Sequence, residues 1–541
     1  PEPIVPLSPR VESWDPADVM KERKRILRPM GIANLGEVYS DAEFSPESGC
    51  LCHDDALLRE TVREDVARQW TRVTWSELQV VPEKTAPGVL GLGTLYSIGA
   101  REPEPLFAPD SENCWRNITG GFLGDCAFLS CLTALSEDMR LIRRIFVSAD
   151  ECASSGAFVS RLSRRGEAVH VLVDGTMPVL QYAEAPEPLP AFCHASGCLW
   201  PALLQKAYAK LRGSYQQTLG DSPGFILQAL TGAPSVVHPL TNDEDALEDT
   251  WEVLLHALQK NHVVCACAAE QAGVNLGPKQ ESHAYAVLQV RDIPELDQQL
   301  VMLRNPLGHA WNEMGADVAC TMLQDNPHKR KEGAERWPPE LCQILGVDDK
   351  LQSARNGVFW VNLKDMHCFF ESIVVNKSSG GQSYQSATSR LDCHTTIGGG
   401  TAYFFVKLDE LSIGDAVVTV TQQHGLALDT PNFPAISFSV WSVSTGKQIG
   451  AVGPTSAEAA FLECSFNKSG DYCVIVDLLH NQDVSQQVVL GVTAAGHPCL
   501  SAVPESVALG EGMHKIVARN GQRDAEGFYD PDSYFKHGVD G

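Results

Sequence analysis

A cysteine acts as a nucleophile only when its thiol is ionised near neutral pH, which takes a helix N-terminus, a nearby cation or an adjacent base. One stretch offers such a start: "GGFLGDCAFLSC", Gly120 to Cys131. Glycines bracket a short loop, Asp125 stands where a helix N-cap would stand, and Cys126 opens an apolar run. A helix beginning there would aim its free N–H groups at the Cys126 sulfur and hold its pKa down. The same pattern also begins a buried structural thiol, because free cysteine is among the most buried residue types. Alone, the stretch leaves both readings open.

Thiol catalysis also needs a base, a group that orients the base, and donors for the oxyanion. Of 16 histidines, His283 is distinctive. It opens "HAYAVLQV", with small residues beside the imidazole, directly after the polar loop "VNLGPKQES". That puts it at the mouth of a strand rather than inside a sheet. Asn305 ends "QLVMLRNPLG", where Pro306 forces it into an extended conformation, so its amide projects from a strand end and could hold an imidazole tautomer. Singly, a histidine at a strand mouth is more often structural, and an asparagine before proline is more often a turn residue.

The elements that would position these groups follow from periodicity. An apolar helix is expected from Cys126 through "LTALSEDMRLIRRIF". "GAFVSRLSRRGEAVHVLVDGTMPV" reads as a hairpin turning at "RRG", and "LWPALLQKAYAKLRG" as an amphipathic helix stopped by Gly213. After "TGAPS" the pattern turns to strands: "HVVCACAA", "HAYAVLQVRDI", "QLVMLRNP" and "GVFWVNLKDM". Before the cysteine, residues 45–120 read as short helical and irregular pieces, and residues 1–44 as an extension with one helix-like stretch, "DPADVMKERKRILRPM". A polar Ser/Gly linker is expected from Asn376 to Ser389. Beyond it, runs such as "TAYFFVKLDE", "GDAVVTVTQQ" and "QQVVLGVTAA" alternate every two residues, as strands of an antiparallel sandwich do.

Bulk properties narrow the function. A chain of 541 residues has room for two to four domains. Its formal charge of −26 argues against nucleic acid as a partner, because phosphate binding needs a basic footprint. No apolar run approaches the roughly 20 residues of a membrane helix. The 17 cysteines sit in apolar contexts without paired CxxC clusters, which points to free thiols in a reducing compartment, the cytoplasm, rather than to zinc.

Taken together, "GFLGDC", "SHAY" and "RNPLG" resemble, in order, the Cys, His and Asn boxes of the calpain family of cysteine proteases. The hairpin, "LWPALLQKAYAKLRGSY" and "NGVFWVNLKDM" resemble it too, over roughly residues 45 to 375. The resemblance implies an α+β fold: a papain-like, two-lobed protease core of a helical and hairpin subdomain and a sheet-rich subdomain, followed by an antiparallel β-sandwich. The expected divisions are an extension at 1–44, subdomain 1 with the cysteine at 45–222, subdomain 2 with the histidine and asparagine at 223–376, the sandwich at 390–500 and a tail at 501–541. By the same resemblance, Cys126 attacks the scissile carbonyl of a protein substrate, His283 moves the proton and Asn305 orients His283.

The departures from the family matter as much. Gly120 stands where calpains carry the glutamine that donates to the oxyanion, and loss of one such donor typically costs about 10²–10³ in rate. Ala127 replaces the tryptophan after the cysteine, and Leu307 replaces the tryptophan that shields the His–Asn hydrogen bond. The positions matching the family's core calcium ligands read Asn117 and Ser196, then His309, Asn356 and Val358, which removes most of the charge that calcium requires. No EF-hand loop follows the sandwich. The expectation is an intracellular calpain-like endopeptidase of limited proteolysis, without cofactor or metal and with calcium implied by the family alone. The alternative is a catalytically impaired calpain-like protein that acts by binding. Membrane association rests only on the family's sandwich, and no basic cluster supports it.

Overall fold

The computed structural model describes residues 41–44, 79–80, 88–94, 106–107, 118–119, 125–147, 157–182, 189–190, 192–195, 198–218, 220–241, 244–268, 283–306, 344, 357–378, 384–395, 400–423, 435–455, 459–479, 484–495 and 498–503. The chain forms two compact units. One comprises residues 1–162, 169–231 and 235–380; the other comprises residues 163–168, 232–234 and 381–541.

In the first unit, β1 (Gln79–Val80) and β2 (Gly88–Thr94) belong to a small sheet completed by β6 (Thr176–Tyr182) and β7 (Leu189–Pro190). The strand over 88–94 departs from the helical and irregular pieces expected there. Gly88, Gly91 and Gly93 disfavour a helix by about 1 kcal/mol each relative to alanine, and antiparallel pairing with β6 supplies the backbone hydrogen bonds instead. After β3 (Ile118–Thr119) comes α1 (Cys126–Leu135), then α2 (Met139–Ile145). These two replace the single expected helix. The break falls where the Asp138 carboxylate accepts from the Arg140 N–H at 3.0 Å and so starts a new helix. The expected hairpin is β4 (Ala157–Arg164) and β5 (Glu167–Asp174), turning through Arg165 and Gly166, both at positive φ as a tight two-residue turn requires. After β8 (His194–Ala195), which pairs with β3, α3 (Trp200–Arg212) ends at Gly213, whose φ of +107° favours glycine.

The rest of the unit is α4 (Pro223–Thr231), β9 (Ser235–Pro239), α5 (Glu244–Gln259), β10 (Val263–Ala268), β11 (His283–Ile293), β12 (Gln298–Arg304), β13 (Val358–Asn362), α6 (Leu363–Phe369) and β14 (Phe370–Asn376). Six of these strands form an antiparallel sheet in the order β13-β12-β11-β10-β14-β9. Alternate side chains of β10 and β11 enter two apolar clusters. Val263, Cys265 and Ala286 join residues of α1 and α3, whereas Val264, Ala266, Tyr285 and Val287 join residues of α5 and α6. Both faces of the sheet are therefore covered, which is why its strands read as continuous apolar runs. The sixteen-residue α5 was not among the expected elements, although Trp251, Leu254 and Ala257 are buried at helical spacing. "GVFWVNLKDM" is strand only to Asn362, whose side chain accepts from Asp365 N–H at 3.1 Å and caps α6.

The second unit holds two antiparallel sheets. One has the order β15 (Tyr384–Thr395), β22 (Val484–Ala495), β17 (Gly414–Gln423), β20 (Ala459–Phe466). The other runs β19 (Gln448–Thr455), β18 (Ala435–Ser442), β21 (Gly470–Leu479), β16 (Gly400–Leu408), β23 (Cys499–Val503). Val418, Leu490 and Val492 of the first and Phe404, Val440 and Val476 of the second meet in one apolar cluster. The expected linker over 376–389 is in part a strand, since β15 starts at Tyr384 and its pairing with β22 satisfies its backbone.

Candidate active site

Cys126 is the first residue of α1, His283 the first of β11, and Asn305 follows the last residue of β12. The fold brings the three together. His283 Nε2 donates to Asn305 Oδ1 at 3.1 Å, and the Cys126 thiol hydrogen-bonds to the same imidazole. Cys126 and His283 are partly exposed, whereas Asn305 is buried. Asn305 is held from its backbone as well: its N–H donates to the Gly357 carbonyl at 2.7 Å. Gly357 has a φ of +71°, and a Cβ there would lie 2.4 Å from the Asn305 carbonyl oxygen, so only glycine allows this approach. Tyr285, two residues along β11 from His283, packs edge-on against the imidazole with centroids 4.8 Å apart.

Electrostatics separates Cys126 from the other thiols. Burial works against its thiolate, but the His283 charge and hydrogen bond outweigh that, helped by the Ala284 N–H, and the thiol sits below its ordinary pKa. His283 moves the opposite way. Burial disfavours its cation, yet Cys126 and Asn305 together raise it. This is the mutual stabilisation of a thiolate–imidazolium pair. Elsewhere burial prevails: it pushes Cys131 and Cys193 well up, and Cys267, Cys464 and Cys473 up to about 12. Ten cysteines among the described residues, Cys126 included, are free.

Contrary to the expectation that Asp125 caps α1, its side chain makes no capping hydrogen bond. It is 3% exposed, and its Oδ2 accepts from Gln205 Nε2 at 2.8 Å, while Gln205 Oε1 accepts from the Cys193 N–H at 2.7 Å. Burial raises its pKa to about 7, which the hydrogen bond from Gln205 offsets only in part. Ala127 is partly exposed and packs against the core with its methyl group. Gly120 and Leu307 lie outside the described residues, as do Asn117, Ser196, His309 and Asn356. Val358, the remaining position implied for calcium, lies in β13 and packs against the apolar cluster; an isopropyl group has no oxygen to ligate with. The Val358 side chain therefore does not fit calcium.

Sequence reasoning missed four residues of this neighbourhood: Gly357, Ser130, Thr133 and Arg304. Ser130 and Thr133 had a signal, since they follow Cys126 at helical spacing on α1.

A family model of calpain family cysteine proteases matches residues 39–377. The chain belongs to the calpain family of cysteine proteases. The calpain-type cysteine protease DEK1 of Zea mays is 28% identical over 380 residues, covering 68% of this chain and 15% of that protein. Calpain-9 of Homo sapiens is 26% identical over 271 residues, covering 48% of this chain and 36% of that one. The chain thus spans well under half the length of these relatives. Among solved structures, the clostridial cysteine protease Cwp84 aligns at 10% identity over 52% of this chain and 76% of its own, with a TM-score of 0.19, too low to carry an argument.

Proposed function

We propose that this calpain-family chain is an intracellular cysteine endopeptidase that makes limited cuts in protein substrates through Cys126, His283 and Asn305. The observation that carries the reading is the single imidazole bonded on one side to Asn305 Oδ1 at 3.1 Å and on the other to the one thiol whose pKa is lowered rather than raised among those with a resolved shift. With Nε2 committed to Asn305, Nδ1 is the nitrogen left to exchange a proton with the sulfur. The thiolate attacks the scissile carbonyl, and the imidazolium protonates the leaving amine. Water, deprotonated by His283, then hydrolyses the thioester and restores the thiol. The free N–H groups at the start of α1, where Cys126 stands, are the backbone donors available to a developing oxyanion. Without a glutamine at Gly120 that pocket is weaker, and turnover is expected to be slow.

In this reading the core is the papain-like, two-lobed arrangement, divided near residue 222, with α1 against the six-stranded sheet. The two sheets that share one apolar cluster form the closing β-sandwich, from Tyr384 onward. The free thiols support a reducing, cytoplasmic setting. Catalysis does not depend on the family's core calcium positions, and calorimetry on the full chain is expected to register no micromolar calcium binding; such binding would overturn this part. Ala127 favours a second reading, a catalytically impaired protein that binds through its cleft. One experiment separates the two. Iodoacetamide labelling located by mass spectrometry is expected to be fast at Cys126 in the wild type and to fall 10²-fold or more in His283→Ala. Slow labelling, equal in both proteins and shared with the other cysteines, would leave the binding role.

A further inference from the structure

Catalysis by this triad depends on how α1, which brings Cys126, sits on the strands that bring His283 and Asn305. Apolar packing holds that helix in place but is non-directional: a helix sliding along a sheet exchanges one set of methyl contacts for another at small cost. Something directional must set the register to a fraction of an ångström.

Helix α1 carries such a device. It is buried along its length beyond the first turn, yet two polar side chains lie on it, Ser130 and Thr133, both 0% exposed. They follow Cys126 at i+4 and i+7, on the same face as the nucleophile. Each is tied to a different strand. Ser130 Oγ donates to the Ala284 carbonyl at 2.7 Å, and Ala284 is the neighbour of His283 and the source of the N–H that favours the Cys126 thiolate. Thr133 Oγ1 accepts from Arg304 Nη1 at 2.6 Å, and Arg304 is the neighbour of Asn305. The same guanidinium donates through Nη2 to the Ile118 carbonyl of β3 at 2.7 Å. Arg304 is 1% exposed, and burial lowers its pKa to about 10. A cation buried at that cost is poor material for stability alone; its planar fork is suited to fixing geometry.

We propose that Arg304 is a positioning residue of the catalytic site, which, through Thr133 and the Ile118 carbonyl, locks the helix of Cys126 in register with the strand that leads into Asn305. Ser130 is the second rivet of the same lock, placed against His283. The proposal rests on the peptidase reading for its catalytic meaning, but the lock itself is a matter of geometry. Arginine is required rather than lysine because the two acceptors lie on different elements and a single ammonium cannot span them with the same fork. Once closed, the lock needs no bound ion, since both ends are protein groups.

The test uses the full chain with three substitutions. Thr133→Val is isosteric and removes one acceptor, Arg304→Lys keeps the charge but not the fork, and Arg304→Met removes both. Expected losses in the rate of Cys126 alkylation are about threefold, tenfold and 10²-fold, with the pH midpoint rising towards the ordinary thiol value of about 8.5 as the imidazole and sulfur lose alignment. A purely structural residue would lower the melting temperature without moving that midpoint. Thr133→Val and Arg304→Lys are the mild variants that keep the test meaningful if Arg304→Met does not fold. Folded proteins of both kinds with wild-type rate and midpoint would overturn the proposal. Should the wild type itself lack His283-dependent alkylation, the peptidase reading fails separately. Amide hydrogen exchange then reads the lock alone: exchange in Arg304→Lys must rise over residues 126–135, and unchanged protection there would equally sink it.

Discussion

Cys126 stands between two buried polar arrangements, and they differ in how fully their atoms are satisfied. Towards β11, the imidazole bonds to Asn305, whose backbone is in turn pinned to Gly357. On the other side, Asp125 Oδ2 takes a hydrogen bond from Gln205, but Oδ1 is buried with no partner among the described residues. The first arrangement favours charge on the thiol; the second resists charge on its own carboxyl and, once ionised, opposes the thiolate. The comparison teaches that low dielectric alone does not activate a nucleophile. The same burial that raises Asp125 would raise Cys126, and the sign is reversed at Cys126 only because a positioned partner is there to share the charge.

Gly357→Ala is expected to break the satisfied side hardest. The new Cβ would meet the Asn305 carbonyl oxygen at 2.4 Å from a residue whose φ is +71°. Neither strain can be relieved by a side-chain rotation, since both atoms in conflict belong to the backbone or are attached to it directly. Displacement of Asn305 frees the imidazole to turn, and a loss of about 10²-fold in kcat/KM against a peptide substrate is expected. Destabilisation by about 2 kcal/mol should accompany it, read by urea unfolding. Wild-type activity in this variant would mean that the Asn305 backbone is not what aligns His283.

How much of this was legible beforehand depends on whether a residue's role is local. Cys126, His283 and Asn305 could be singled out because each begins or ends an element, and loop and strand boundaries are written in glycine, proline and polar runs. The hairpin and α3 were legible for the same reason. Arg304 was not: in "QLVMLRNP" it looks like a solvated charge at a strand end, and only the approach of α1 and β3 buries it. Gly357 carries no local sign either, because the atom it must avoid belongs to Asn305, distant in the chain. The break between α1 and α2 was written in Asp138, but the apolar run across it masked the cap. Asp125 was misread in the reverse sense. Its type suits an N-cap, yet Gln205 on α3 offers it a better partner. Helix α5 has helical spacing, but the β-branched runs that follow it dominate the pattern of that region.

Asp125→Asn sharpens the comparison with a smaller and opposite effect. The folded pKa of about 7 lies above the ordinary 3.8, so between those values the folded protein keeps a proton that the unfolded chain has released. Stability from this group is therefore complete below about pH 4 and is lost as pH rises towards 7. The spread corresponds to a ceiling on the order of 4 kcal/mol. Asparagine keeps an acceptor for Gln205 and has no charge to bury, so the variant is expected to be more stable than wild type at pH 8 and to converge with it near pH 4, as followed by urea unfolding across that range. Removing the carboxylate also removes the charge that opposes the thiolate. The pH midpoint of Cys126 alkylation should then fall by about half a unit, the reverse of the shift expected for the Arg304 variants. A midpoint that stayed still while stability rose would mean that Asp125 is screened from the sulfur and that His283 alone sets the charge of Cys126.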